Sequence, residues 1–117
     1  MTDTLRILLK KKGRTVHSVT PQTRVVDAVR KMNTERIGAV LVMDGEELVG
    51  IFTERDVLCR IVDEDRNAKE TLVSEVMTSQ PVVVKSETTV EEAMAVVSEK
   101  RCRHLPVVED SRLVGLV

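Results

Sequence analysis

Phe52 is the single aromatic residue in a chain of 117, which has neither tryptophan nor tyrosine. Base-stacking surfaces for single-stranded nucleic acid are built from such rings, so that class of binder is disfavoured. Neither sign of charge is in excess: 18 lysines and arginines face 19 aspartates and glutamates, a net charge of −1. No overall basic field therefore draws the chain to nucleic acid or to an anionic membrane surface. Two cysteines, Cys59 and Cys102, are too few for a disulfide framework and lack metal-ligand spacing. They read as buried thiols in a reducing compartment. No run approaches the ~20 apolar residues that span a bilayer, and the N-terminus lacks the basic-then-apolar order of a secretory signal. These absences point to the cytoplasm. Nucleophile–base pairs, metal-ligand clusters and paired catalytic carboxylates are not evident either, so no enzyme activity and no metal site are expected.

What the chain does have is a repeat. Shifted by 65 positions, "RIGAVLVMDGEELVGIF" (36–52) falls on "RCRHLPVVEDSRLVGLV" (101–117) without a gap. Arg36/Arg101, Val42/Val107, Leu48/Leu113, Val49/Val114 and Gly50/Gly115 coincide. Upstream, Thr23/Thr88, Val25/Val90 and Ala28/Ala93 coincide as well. Self-similarity at a fixed period marks a duplicated structural unit.

Each unit has the same physical layout. "TVHSVTP" is strand-like and breaks at Pro21. Val25, Val26, Ala28, Val29 and Met32 follow at helical spacing, with Thr23 near the start. "IGAVLVM" is short and rich in branched residues, a strand buried on both faces. Asp44-Gly45 turns the chain and "LVGIF" returns antiparallel. A second helix, "ERDVLCRIV", is expected to turn Val57, Leu58, Ile61 and Val62 inward. The order β-α-β-β-α, taken twice, predicts an α/β (α+β) fold of tandem repeats. Residues 1–14 form a lead-in helix with Leu5, Leu8 and Leu9 inward. Lysines 10–12 lie at its negative end, and Gly13 stands where a helix-ending glycine would. Residues 15–62 form the first repeat, 63–72 a solvated linker and 73–117 a second repeat that is incomplete at its C-terminus.

The stretch "GIFTERD" (50–56) carries two readings. Thr53-x-x-Asp56 has the spacing of a capping box, in which each side chain satisfies the other residue's backbone N–H. The same helix start offers N–H groups and positive potential to a phosphate. There Asp56 can accept ribose hydroxyls, and Gly50 permits close backbone approach.

The combination of "VMTSQP", "TVEEA", "HLPV" and the L-V-G of both repeats, followed in the first by T-x-x-D, closely resembles the CBS domain. This regulatory module is named after cystathionine β-synthase. The likeness covers nearly the whole chain, twice over. It implies a pseudo-two-fold pair of domains that binds adenosine-containing ligands between the repeats, with AMP foremost and ATP, NADH or S-adenosylmethionine as alternatives. The resemblance gives Gly50, Thr53 and Asp56 the ribose and phosphate contacts, with Arg55 beside them. It places Ile37, Gly38, Ala39 and backbone near Val16 around the adenine, and brings Arg103 and His104 to the phosphate from the opposite repeat. It also implies a homodimer that modulates an unknown partner protein without chemistry of its own.

The second repeat departs from this pattern, because the sequence stops at Val117, before its T-x-x-D. One competent site, centred on Gly50 to Asp56, is therefore expected, with stability leaning on dimerisation. The initiating methionine and the early first repeat favour a stand-alone regulatory protein. The rival expectation is a ligand-independent dimerisation or interaction module.

Overall fold

A computed structural model describes residues 3–12 and 16–117. Their elements are α1 (Leu5–Lys12), β1 (Ser18–Val19), α2 (Val25–Glu35), β2 (Ala39–Asp44), β3 (Glu47–Thr53) and α3 (Glu54–Asp56), which runs on into a π-helix, Val57–Val62. After them come α4 (Val73–Val76), β4 (Thr78–Ser79), β5 (Val84–Lys85), α5 (Val90–Lys100), β6 (Pro106–Glu109) and β7 (Arg112–Leu116). The chain forms two compact units, one of His17–Gln80 and one of Pro81–Val117 with the residues up to Val16. The cut runs across the sequence repeats. The helix preceding the first repeat belongs to the unit built on the second, while α4, which opens the second repeat, belongs to the unit built on the first.

In the His17–Gln80 unit the sheet order is β1-β2-β3-β4, with β1 parallel to β2 and the other pairs antiparallel. Val40, Leu41 and Val42 are fully buried, as a branched strand covered on both faces requires. Helix α2 buries Val25, Ala28 and Met32 against Val40, Val42, Phe52, Ile61, Val73 and Val76. Thr23 lies just ahead of α2, where its hydroxyl accepts from the Thr20 N–H at 3.1 Å. The capping position is held by Arg24, without a side-chain hydrogen bond. The first N–H groups of the helix go instead to carbonyls of the linker, Val25 to Thr71 (2.9 Å) and Val26 to Ala68 (2.9 Å). The linker is thus solvated along its charged stretch but closes the helix start at its end.

After Asp56 the helix winds through i to i−5 hydrogen bonds: Asp63 N–H to the Leu58 carbonyl at 3.0 Å, and Arg66 N–H to that of Ile61 at 2.9 Å. Ile61 is buried and Val57 half-buried, but Leu58 and Val62 are 65% and 67% exposed, contrary to the four-residue inward face expected from the sequence. Cys59 on the same turn is exposed and Cys102 is half-buried, so neither is the fully buried thiol expected.

In the other unit β5 runs parallel to β6, and β6 antiparallel to β7. Helix α1 completes its core: Leu5 and Leu9 pack with Val84, Ala93, Leu105 and Val107, and Leu8 is half-buried at the edge. Arg6 anchors the same helix with hydrogen bonds to Glu109 (2.6 Å) and Glu87 (2.9 Å). The Glu109 bond, foremost, raises the guanidinium pKa above its ordinary value. The expected helix-ending Gly13 lies outside the described residues. The coincidence of Arg36 and Arg101 in the repeat has a structural counterpart. Both end their helices in the left-handed conformation, with φ of 56° and 54°, a place more often given to glycine.

Candidate functional site

Strand β2 begins beside the end of β3, with Ala39 opposite Thr53. The Gly38 carbonyl, one residue earlier, accepts the N–H of Glu54 at 3.0 Å and so ties the β3–α3 junction to the start of β2. At that junction Thr53 has extended backbone, φ −124° and ψ 167°, and caps the helix. Its hydroxyl accepts from the Asp56 N–H (3.3 Å), and its own N–H donates to Asp56 Oδ2 (2.9 Å), so the capping box is fully made.

Asp56 does more than cap. It is 6% exposed, and its two oxygens have different surroundings. Oδ2 accepts from both the Thr53 N–H and the Thr53 hydroxyl (3.2 Å), which fills its lone pairs. Among the described residues Oδ1 has only long partners, the Thr78 hydroxyl at 3.5 Å and Arg60 Nε at 3.8 Å. Arg60 in turn donates to the carbonyls of Val76 (3.0 Å) and Met77 (2.9 Å) at the end of α4. Asp56 is therefore the meeting point of β3, α3, the π-helix and β4, with one acceptor position still weakly used.

The glycines mark close approaches. A Cβ on Gly50 would stand 2.5 Å from Met77 Sδ and 3.0 Å from the Thr78 carbonyl, so the bare α-carbon is what lets β4 pack there. A Cβ on Gly38 would stand 3.1 Å from Glu54 Oε1, so the Glu54 carboxylate lies directly on that residue. Arg55 is exposed and, among the described residues, in no ion pair, either with Glu54 or with Asp63. His17 is held by its backbone, its carbonyl accepting from Leu41 N–H at 3.0 Å, while its ring stands 3.8 Å from Glu35.

Of the residues marked in the sequence, the His17–Gln80 unit assembles Ile37, Gly38, Ala39, Gly50, Thr53, Arg55 and Asp56 around one junction. Half-buried Val16, exposed Arg103 and half-buried His104 belong to the other unit. Sequence reasoning missed Arg60, Thr78 and the contact of Glu54 with Gly38. Arg60 was within reach, since a basic residue four positions after an acidic one lies on the same helix face. Thr78 carries no comparable signal, because only the β3–β4 pairing brings it to Asp56.

The chain is similar to known proteins over most of its length. It is 37% identical over 123 residues to the CBS domain-containing protein CBSX3, mitochondrial, of Arabidopsis thaliana, covering 97% of this chain and 60% of that one. It spans under a fifth of several longer curated relatives. Among solved structures, the crystal structure of the CBS domain of NE2398 superposes with a TM-score of 0.94 at 43% identity, covering all of this chain and 91% of that one. A candidate signal-transduction protein with CBS domains from Burkholderia ambifaria gives 0.93 at 40% identity, covering 97% and 86%. No helix among the described residues is long and apolar enough to cross a membrane. CBS-domain pairs are in general regulatory or sensory modules. The family model for the CBS domain matches residues 13–63 and again 73–117, and the chain belongs to that family, carrying the domain twice.

Proposed function

We propose that the chain is a sensor of an adenosine-containing ligand of the AMP, ATP, NADH and S-adenosylmethionine class. In this reading it acts in the cytoplasm as a homodimer that modulates a partner protein. The observation that carries the reading is the buried Asp56 carboxylate, whose Oδ1 has no partner closer than 3.5 Å among the described residues. A ribose hydroxyl donating to that oxygen makes a charge-assisted hydrogen bond in a water-poor place, worth about 1.5–3 kcal/mol. With Oδ2 filled by Thr53, the contact is through one oxygen rather than both. Gly50, Thr53, Gly38 and the strip from Ile37 to Ala39 then serve by holding the junction in shape. Signalling requires that the ligand favour one arrangement of the protein over another, since equal affinity shifts nothing.

Calorimetric titration with AMP, ADP, ATP, NADH and S-adenosylmethionine tests the reading. At least one is expected to bind below millimolar concentration, and none doing so removes it. The exposed Leu58 and Val62 favour a second reading, self-association through this turn without a ligand. A dimer whose melting temperature ignores every nucleotide, and which Leu58→Lys with Val62→Lys dissociates, is its signature. Both substitutions sit on exposed positions, so little loss of monomer stability is expected.

A further inference from the structure

We infer that Glu54 sets the charge selectivity of this site, so that it takes an uncharged or cationic adenosyl compound in preference to an adenine polyphosphate. The inference rests on the adenosine-ligand reading above. A phosphate at a helix start needs unpaired N–H groups and positive potential. At this junction three of those groups are already taken: Thr53 N–H by Asp56 Oδ2 (2.9 Å), Glu54 N–H by the Gly38 carbonyl (3.0 Å) and Asp56 N–H by the Thr53 hydroxyl (3.3 Å). The side chains of the first turn add two carboxylates, Glu54 and Asp56, against the one guanidinium of Arg55, a net charge of the wrong sign for an anion.

The two carboxylates are not alike. Asp56 is buried and faces Arg60 at 3.8 Å. Glu54 is exposed, with no cation within 4.0 Å among the described residues, and its Oε1 lies 3.1 Å from where a side chain on Gly38 would begin. Arg55, the next residue, does not answer it, because neighbours along a helix point to different faces. An open acceptor therefore stands on the strip that begins β2. A carboxylate there accepts from an amino group or attracts a positive charge, and it has nothing to donate to a phosphate.

Calorimetry on the full chain at one ionic strength, with adenosine, S-adenosylmethionine, AMP and ATP, tests the inference. S-adenosylmethionine and adenosine are expected to bind more tightly than AMP, with ATP weakest. Glu54→Gln keeps the shape and removes the charge. It is expected to tighten ATP by about three- to tenfold, weaken S-adenosylmethionine by about as much and leave adenosine within about twofold. Added salt should shrink the same differences in the unaltered chain. Asp56→Asn is the control on the site itself and is expected to weaken all four ligands, with melting curves checking that both variants fold. If Asp56→Asn weakens binding but the chain prefers ATP, or Glu54→Gln leaves the ratio of ATP to S-adenosylmethionine unchanged, the inference on Glu54 is overturned and the site stands. If none of the four binds below millimolar concentration, or Asp56→Asn changes nothing, the site reading fails and the inference with it.

Discussion

Helix α5 opens with Thr89 and Glu92 exchanging hydrogen bonds in solvent: Glu92 N–H to the Thr89 hydroxyl at 3.1 Å, and Thr89 N–H to Glu92 Oε1 at 3.1 Å. Helix α3 opens with the same exchange between Thr53 and Asp56, but there the carboxylate is buried and also meets Thr78 and Arg60. The first box is a local device that satisfies two orphan donors and ends its influence within a turn. The second joins four elements through one side chain. Identical spacing in the sequence thus serves two purposes, and what separates them is the burial of the acid and the company it keeps.

The largest effect is expected where that company is removed. Asp56→Ala deletes the cap and leaves Arg60 and the Thr53 N–H without their buried acceptor. A loss of about 2–4 kcal/mol in urea unfolding is expected, together with at least tenfold weaker adenosyl-ligand binding. A loss no greater than that of an exposed cap would erase the distinction between the two boxes. The repeat-equivalent glycines sharpen the same comparison. In Gly50→Ala the new methyl meets Met77 Sδ at 2.5 Å and backbone, the Thr78 carbonyl, at 3.0 Å. In Gly115→Ala its nearest neighbours are the Leu9 side-chain methyls, at 2.6 and 2.8 Å. Backbone cannot swing away as a side chain can, so Gly50→Ala is expected to cost about 1–3 kcal/mol and Gly115→Ala less. Equal losses would mean that Leu9 is held as rigidly as β4.

Much of the architecture was legible before the structure. The β2–β3 hairpin follows from two apolar runs around Asp44-Gly45, and Gly45 does take a left-handed φ of 63°. Of the five α2 residues picked out by spacing, Val25, Ala28 and Met32 are buried, and Val26 and Val29 are half-buried. Other features were not readable, for a physical reason in each case. An apolar stripe tells a helix to bury a face but not against which partner, so Leu5 and Leu9 gave no sign that α1 completes the core built on the second repeat. Val57, Leu58, Ile61 and Val62 span a wide arc of their helix, and the core takes only the side that carries Val57 and Ile61. Around the candidate site, Thr53 and Asp56 were visible because a cap and a ribose contact share one spacing. Thr78 and the seat of Glu54 on Gly38 depend on strand pairing and on the loop ahead of β2, which no local pattern encodes.

The smallest expected effect belongs to the exposed box, and pH isolates it. Thr89→Ala removes an ordinary cap and is expected to cost about 1 kcal/mol without altering ligand binding. The bond from Thr89 N–H, followed by that from its hydroxyl, holds the Glu92 carboxyl below its ordinary pKa of 4.5. A carboxylate whose folded pKa is depressed contributes stability that is fully present above the unfolded pKa and fades as pH falls through the folded one. Glu92→Gln keeps the hydrogen-bonding shape of the box and removes the charge. Its small deficit against the unaltered chain in urea midpoints should therefore be constant at neutral pH and shrink as pH falls below the ordinary pKa of 4.5. A deficit that persists unchanged into acid would show that the box works by shape alone. Solvent screens the charge at this helix start, so the effect stays well below that of Asp56→Ala. The two boxes then differ as a consequence of burial, with the same threonine-to-acid spacing giving a removable end-cap in one place and a structural joint in the other.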